Sequence, residues 1–218
     1  ASVSFLLDVS PSMAFGTGPL TKLDYARFVA ASLAYFSSRQ RDRIGLITFA
    51  GELGEVIPPS TRHLTRGLHA IDRIRPGEAA GGSMAGPLAS IADRVRRRSV
   101  LVLLSDFYDP PEAILDAIAR LRATGSDVLA FHLLDPAELE FPYDGAASFE
   151  DLETGERLPV VPEDLREDYR RHLRTHLDEL ERLMGSHRVD YAVVDVSRPI
   201  DFVLLEYLTR RHALARVR

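Results

Sequence analysis

Short, almost unbroken apolar runs alternate along this chain with segments of helical periodicity, and that alternation restricts the fold more than any other feature. Val3–Val9, Ser99–Ser105 and Asp127–Leu134 are each strand-length and carry few polar side chains, the pattern of strands buried on both faces. Between them, Leu23, Ala26, Val29, Ala30 and Leu33 repeat at helical spacing and form one apolar face. Thr21 is expected to cap that helix, with Asp24 in its first turn. Arg43–Ala50 reads as a second strand, and Leu53–Ile57 as a short third one stopped by Pro58-Pro59. Helices are expected over Arg62–Ile74 and Met84–Arg98, around a Gly-rich loop at Pro76–Gly82. Asp109, with Pro110 and Glu112 behind it, reads as the cap of the helix after Ser99–Ser105.

Residues 135–162 break the rhythm. Two short extended runs flank Gly155, so this excursion is expected to contain a hairpin tied to the body by Phe141, Tyr143, Phe149 and Leu152. A long helix follows from Pro162 to about Gly185, with an apolar stripe at Leu165, Tyr169, Leu173, Leu177, Leu180 and Met184. Val189–Val196 is a last strand and Ile200–Arg211 a last helix. The expected fold is therefore α/β: a doubly wound, mostly parallel six-stranded sheet with one short antiparallel edge strand and helices on both faces. Residues 1–218 read as one domain. The abrupt start on a strand suggests that an N-terminal segment of the full-length protein is missing.

Composition removes several functions. There is no cysteine, so disulfides, thiol nucleophiles and thiolate metal sites are excluded. The 32 acidic against 27 basic side chains argue against nucleic acid as the main partner. No apolar run approaches the ~20 residues of a membrane span, and a cytoplasmic location is expected.

In doubly wound sheets, sites form beyond the carboxyl ends of the strands. After the first strand comes Asp8-Val9-Ser10-Pro11-Ser12, and after the central strand Ser105-Asp106-Phe107-Tyr108-Asp109; Gly81-Gly82-Ser83 opens a helix between them. These loops bring carboxylates and hydroxyls to one edge of the sheet, and no lysine or arginine lies within them. Such a cluster repels itself unless a cation intervenes. Hard oxygen donors select Mg²⁺, or Mn²⁺ or Ca²⁺. The expected ligands are Asp8, Ser10, Ser12, Ser83 and Asp106. Bland readings accompany each: turn residues at 8–12, a helix cap at Ser83, solvated helix histidines at His172 and His176, and a core histidine at His132.

Asp8-x-Ser10-x-Ser12, with Ser83 and Asp106 on the companion loops, resembles the metal-ion-dependent adhesion site of von Willebrand factor A domains. Ser83 stands where that family has Thr, and Phe107 where many members have Gly, which is expected to narrow the opening above the metal. Leu134–Pro142 and Phe149–Arg157 are similar to the C-terminal part of the bacterial domain of unknown function 58 family. That resemblance implies work with MoxR-type AAA+ ATPases in assembling or activating other proteins. The functional expectation is a non-enzymatic, divalent-metal-dependent interaction module. A partner's Asp or Glu would complete the cation's shell, and Met13, Phe15, Phe107 and Tyr108 would form an apolar lip. The competing expectation is a Mg²⁺-dependent phosphohydrolase using Asp8 and Asp106. It is disfavoured because Lys22, the only lysine, sits at a helix start, away from the strand ends.

Overall fold

The computed structural model describes residues 1–77, 82–95, 97–145, 147–152, 154–205 and 209. The chain runs β1 (Ser2–Asp8), a single 3-10 turn (Pro11–Ala14), α1 (Lys22–Arg39), β2 (Arg43–Phe49), β3 (Leu53–Ser60), α2 (Leu64–Arg73), α3 (Ala85–Arg94), β4 (Val100–Ser105), α4 (Pro111–Ala123) and β5 (Asp127–Leu134). It continues through α5 (Pro136–Glu140), β6 (Ala147–Glu150), β7 (Arg157–Val160), α6 (Pro162–Ser186) and β8 (Asp190–Asp195).

Six strands form one sheet in the order β3-β2-β1-β4-β5-β8, while β6 and β7 pair separately. Only β2–β3 is antiparallel within the large sheet. The period-2 geometry of a strand sends alternate side chains to opposite faces. Val3, Phe5 and Leu7 of β1 join α1 and α2 in one core, and Leu6 joins α3, α4 and the end of α6 in the other. In β4, Val102 and Leu104 face the first core, Leu101 and Leu103 the second. Burial on both faces explains why these strands lack polar alternation.

Local chemistry sets some of the ends. Thr21 caps α1 in a reciprocal box with Asp24, as the sequence suggested. Edge strand β3 runs three residues past Ile57, through Pro58-Pro59. Proline removes a donor that an edge strand can lack, so the expected stop was too early. Residues 200–205 are helical; residues 206–208, 210 and 211 of the expected last helix lie outside the described residues.

The described residues of the excursion form regular elements. The excursion opens with α5, which the sequence reading did not anticipate. Asp135 and Glu138 cap this helix reciprocally. The β6–β7 hairpin follows. Phe141 stacks on Tyr169 of α6 at 4.5 Å and on Phe149 of β6 at 5.4 Å. Arg166 donates to the carbonyls of Phe141 and Tyr143 at 3.1 and 2.6 Å. The hairpin thus sits near the long helix as expected, through Phe149 on Phe141, although Leu152 is exposed. The apolar stripe of α6 is fully buried only at Leu180 and Met184, because its first half covers the excursion and not the sheet.

Candidate functional site

Strand order changes direction at β1. The chain first builds outward through β2 and β3, then returns to place β4 on the other side of β1. The crevice between β1 and β4 is therefore the topological switch point. Leu7 and Leu104 are register partners, so Asp8 and Ser105 end adjacent strands side by side. Ser105 Oγ donates to Asp8 Oδ2 at 2.5 Å, and the Ser10 amide donates to Asp8 Oδ1 at 2.9 Å.

A cavity of about 300 Å³ opens here, and Asp8, Ser10, Ser12, Ser83 and Asp106 all line it. The third loop is held in place by a backbone contact: a Cβ on Gly82 would lie 2.4 Å from the Gly51 Cα, so the β2–β3 turn and the start of α3 meet only because both positions are glycine. Ser83 Oγ donates to Asp109 Oδ2 at 3.0 Å, and the Met84 amide donates to the same oxygen at 2.6 Å. Asp109 is therefore the anchor of the Ser83 loop. It does not cap α4, whose N-cap is Pro110 with no side-chain bond. Asp109 also lines the cavity and brings a third carboxylate that sequence reasoning assigned elsewhere.

Charge balance differs from the expectation most sharply at Lys22. Its ammonium is completely buried and donates to Asp106 Oδ2 at 2.8 Å and to Glu138 Oε1 at 2.6 Å. Tyr108 OH donates to the same Glu138 oxygen. The single lysine thus reaches under the strand ends from the first turn of α1, and the assumption that no cation neutralises the loops is wrong for Asp106. The remaining 26 basic residues are arginine. A lone lysine in such a chain was a usable signal: a compact ammonium fits between two buried carboxylates where a planar guanidinium needs more room.

Among the described residues Asp8 has no such counterion. Burial, and then the Asp106 carboxylate, push its pKa up to about 7, against smaller downward pulls from its bonds to Ser105 and Ser10. A buried carboxylate this poorly compensated is a physical reason to expect a cation. The donor set fits one. Ser10 Oγ and Ser12 Oγ lie 3.1 Å apart, close to the about 2.9 Å between adjacent ligands of an octahedron with bonds of about 2.0–2.1 Å. Ser83 spends its proton on Asp109 at 3.0 Å and accepts from the Ala85 amide at 3.2 Å, which leaves its hydroxyl oxygen one further lone pair. Among the described residues no group of three His, Cys, Asp or Glu side chains is arranged to hold a metal; the candidate set relies on hydroxyls.

The expected lip is half right. Tyr108 is exposed and Phe15 half-buried, but Met13 and Phe107 are completely buried. Met13 faces the α1 core. Phe107 adopts φ 47°, the left-handed region that favours glycine, and turns its ring away from the cavity against His132 and Tyr191, at centroid distances of 5.3 and 6.4 Å. The phenylalanine does not narrow the opening. It closes the floor between β4, β5 and α6. His132 is a core histidine as expected, bonded through Nδ1 to Tyr191 OH at 2.7 Å. His176 is half-buried, not solvated, and its Nε2 lies 2.9 Å from the Phe107 carbonyl. His172 is exposed.

Known proteins share this framework. The profile of a family described as "Protein of unknown function DUF58" matches residues 1–179. Uncharacterized proteins of Mycobacterium tuberculosis and Mycobacterium bovis are 30% identical over 185 residues, 81% of this chain. The chain spans 56% of the length of those relatives. The fold resembles an aerotolerance-related membrane protein from Bacteroides fragilis, with a TM-score of 0.61, 17% identity and coverage of 89% of this chain and 91% of the other. It also resembles the conserved hypothetical protein BatB from Bacteroides thetaiotaomicron, with a TM-score of 0.59, 18% identity and coverage of 89% and 90%. Among the described residues no helix is long and apolar enough to cross a membrane.

Proposed function

Since the chain belongs to the DUF58 family, whose description leaves its role open, we propose from the site itself that this domain binds a protein partner through a divalent cation. Asp8, Ser10, Ser12 and Ser83 would hold Mg²⁺ or Mn²⁺, with Asp106, whose charge Lys22 balances, lining the same cavity. The ion supplies an electrophilic anchor, and the protein's residues do the rest. Ser105 and the Ser10 amide aim the Asp8 carboxylate, Asp109 aims Ser83, and Lys22 absorbs charge from Asp106 that would otherwise repel an acidic visitor. Asp8 would be the one carboxylate among the four groups that hold the ion, and Lys22 balances Asp106, so a dication keeps positive charge for a partner's Asp or Glu. The observation that carries this reading is the convergence of all five oxygen-bearing side chains on one cavity around an uncompensated Asp8. The family resemblance makes a MoxR-type AAA+ ATPase, or a protein that it remodels, the proposed partner, in the cytoplasm.

A phosphohydrolase has less support. Lys22 lies closer to the carboxylates than its sequence position suggested, but it is completely buried between two acceptors, and among the described residues no basic side chain lines the cavity. Titration calorimetry with MgCl₂ and MnCl₂ tests the proposal. Heat of binding should appear for the native chain and vanish in Asp8→Ala with the circular dichroism spectrum unchanged. Equal binding by both proteins would remove the cation from the mechanism.

A further inference from the structure

A second cavity, of about 380 Å³, adjoins the first and shares Ser12 and Tyr108 with it. Its walls carry the rings of Phe15, Tyr108, Phe141, Tyr143, Phe149 and Tyr169. Among the described residues its charged lining residues are Glu138, Glu150 and Asp151, all acidic. Ring faces are electron-rich and attract cations, and the chain itself shows that these rings do so: the Lys22 ammonium lies 4.7 Å from the Tyr108 ring centroid and 5.8 Å from that of Phe15. Lys22 is spent on Glu138 and Asp106 from the inner side. What faces an incoming group is the outer ring wall with Glu150 and Asp151 at its rim. Glu150 pairs with Arg157 at 2.8 Å, but both side chains are well exposed, and such pairs exchange at little cost.

We propose that this aromatic cavity takes the arginine or lysine side chain of the same partner segment whose carboxylate enters the neighbouring cavity. The apolar stem would lie along the rings while the cationic head meets Glu150 and Asp151. The segment recognised is therefore dipolar, one acidic and one basic residue on either side of the shared Tyr108 wall. The basic half stands on the second cavity alone; only the pairing of the two halves rests on the cation-binding reading.

Two measurements separate these parts. In the first, Nα-acetyl-arginine amide, Nα-acetyl-phenylalanine amide and Nα-acetyl-glycine amide are titrated into the full chain in EDTA, and aromatic resonances are followed by NMR. The arginine derivative should saturate at millimolar concentration, weaken with salt and shift the Tyr108, Tyr143 and Phe149 signals. Glu150→Gln, a substitution at an exposed position, should weaken it severalfold, and Phe149→Ala should abolish it. Phenylalanine amide binding as well as arginine amide, or arginine binding that ignores both substitutions, overturns the inference. In the second, capped peptides with Asp and Arg separated by zero to four glycines are titrated with Mg²⁺. At least one spacing should bind ten or more times tighter than Nα-acetyl-arginine amide, and Asp8→Ala should erase that gain. A gain that survives Asp8→Ala leaves the basic pocket standing and removes the cation. Binding by an Asp peptide that arginine never improves leaves the cation and removes the pocket.

Discussion

Two carboxylate clusters meet at Lys22, and the chain treats them in opposite ways. On the excursion side the two buried carboxylates, Asp135 and Glu138, are satisfied from within. Asp135 accepts from the Thr17 amide and hydroxyl at 2.9 and 2.6 Å and from the Ala137 amide at 2.8 Å. Glu138 accepts from the Asp135 amide, Lys22 and Tyr108. On the β1 side, Asp8 is bonded by Ser105 and Ser10 and, among the described residues, faces Asp106 without a cation of its own. The first cluster is architecture, because it binds the loop after the 3-10 turn, α1 and α5 together. The second stores an unfavourable charge that folding alone does not relieve. Unrelieved charge in an open cavity marks where a ligand is wanted.

Lys22→Met is the strongest way to break this contrast. It would leave Asp106 and Glu138 buried without their cation, and uncompensated buried charges of this kind cost about 3–5 kcal/mol. Urea unfolding at pH 7.5 should show that loss. A cost under about 1 kcal/mol would mean that the ammonium is not the keystone of the satisfied cluster.

Asp8→Asn should act in the opposite direction, and its sign follows from linkage. The folded pKa of Asp8, about 7, lies above the ordinary 3.8. Between these values the native state holds the extra proton, so native stability falls as pH rises from about 4 to about 7. The asparagine variant lacks that penalty. Without metal it should be more stable than the parent at pH 8 by up to a few kcal/mol, with the gap closing toward pH 4. Adding Mg²⁺ should restore the parent only. A variant less stable than the parent at pH 8 would show that Asp8 is a structural carboxylate like Asp135.

Smaller effects sharpen the comparison. Asp109→Ala frees Ser83 without touching Asp8, and loss of such an orienting bond commonly costs about 10–100-fold in metal affinity; the decrease should appear by calorimetry with the fold intact. His132 supplies the quietest check. Burial, then His176 and Lys22, lower its pKa to about 3, so its ring should stay neutral and its NMR shifts constant from pH 8 to 5. Its contribution to stability is present above pH 6.5 and is lost as pH falls toward 3. A His132 that titrates near 6 would show a floor beneath the cavity wetter than the packing of Phe107 and Tyr191 indicates.

The sheet, its order of elements, the antiparallel edge and the hairpin excursion were all legible in the sequence, because periodicity and turn chemistry are local and each strand's burial is written in its own residues. The switch-point rule then brought Asp8, Ser10, Ser12, Ser83 and Asp106 to one edge without coordinates. What only the tertiary structure decided was how these groups are paired. Lys22 meets Asp106 and Glu138 across 84 and 116 residues of chain, a separation over which spacing carries no information. Helix α5 is five residues long, too short to show a period. Phe107 and Met13 looked like lip residues because a loop position beside a site says where a residue is and not which way it turns. The left-handed backbone at Phe107 sends its ring into the core, and that choice is made by the space between β4, β5 and α6. Local patterns thus determined which residues reach the edge, and long-range packing decided which of their charges are cancelled and which remain for a ligand.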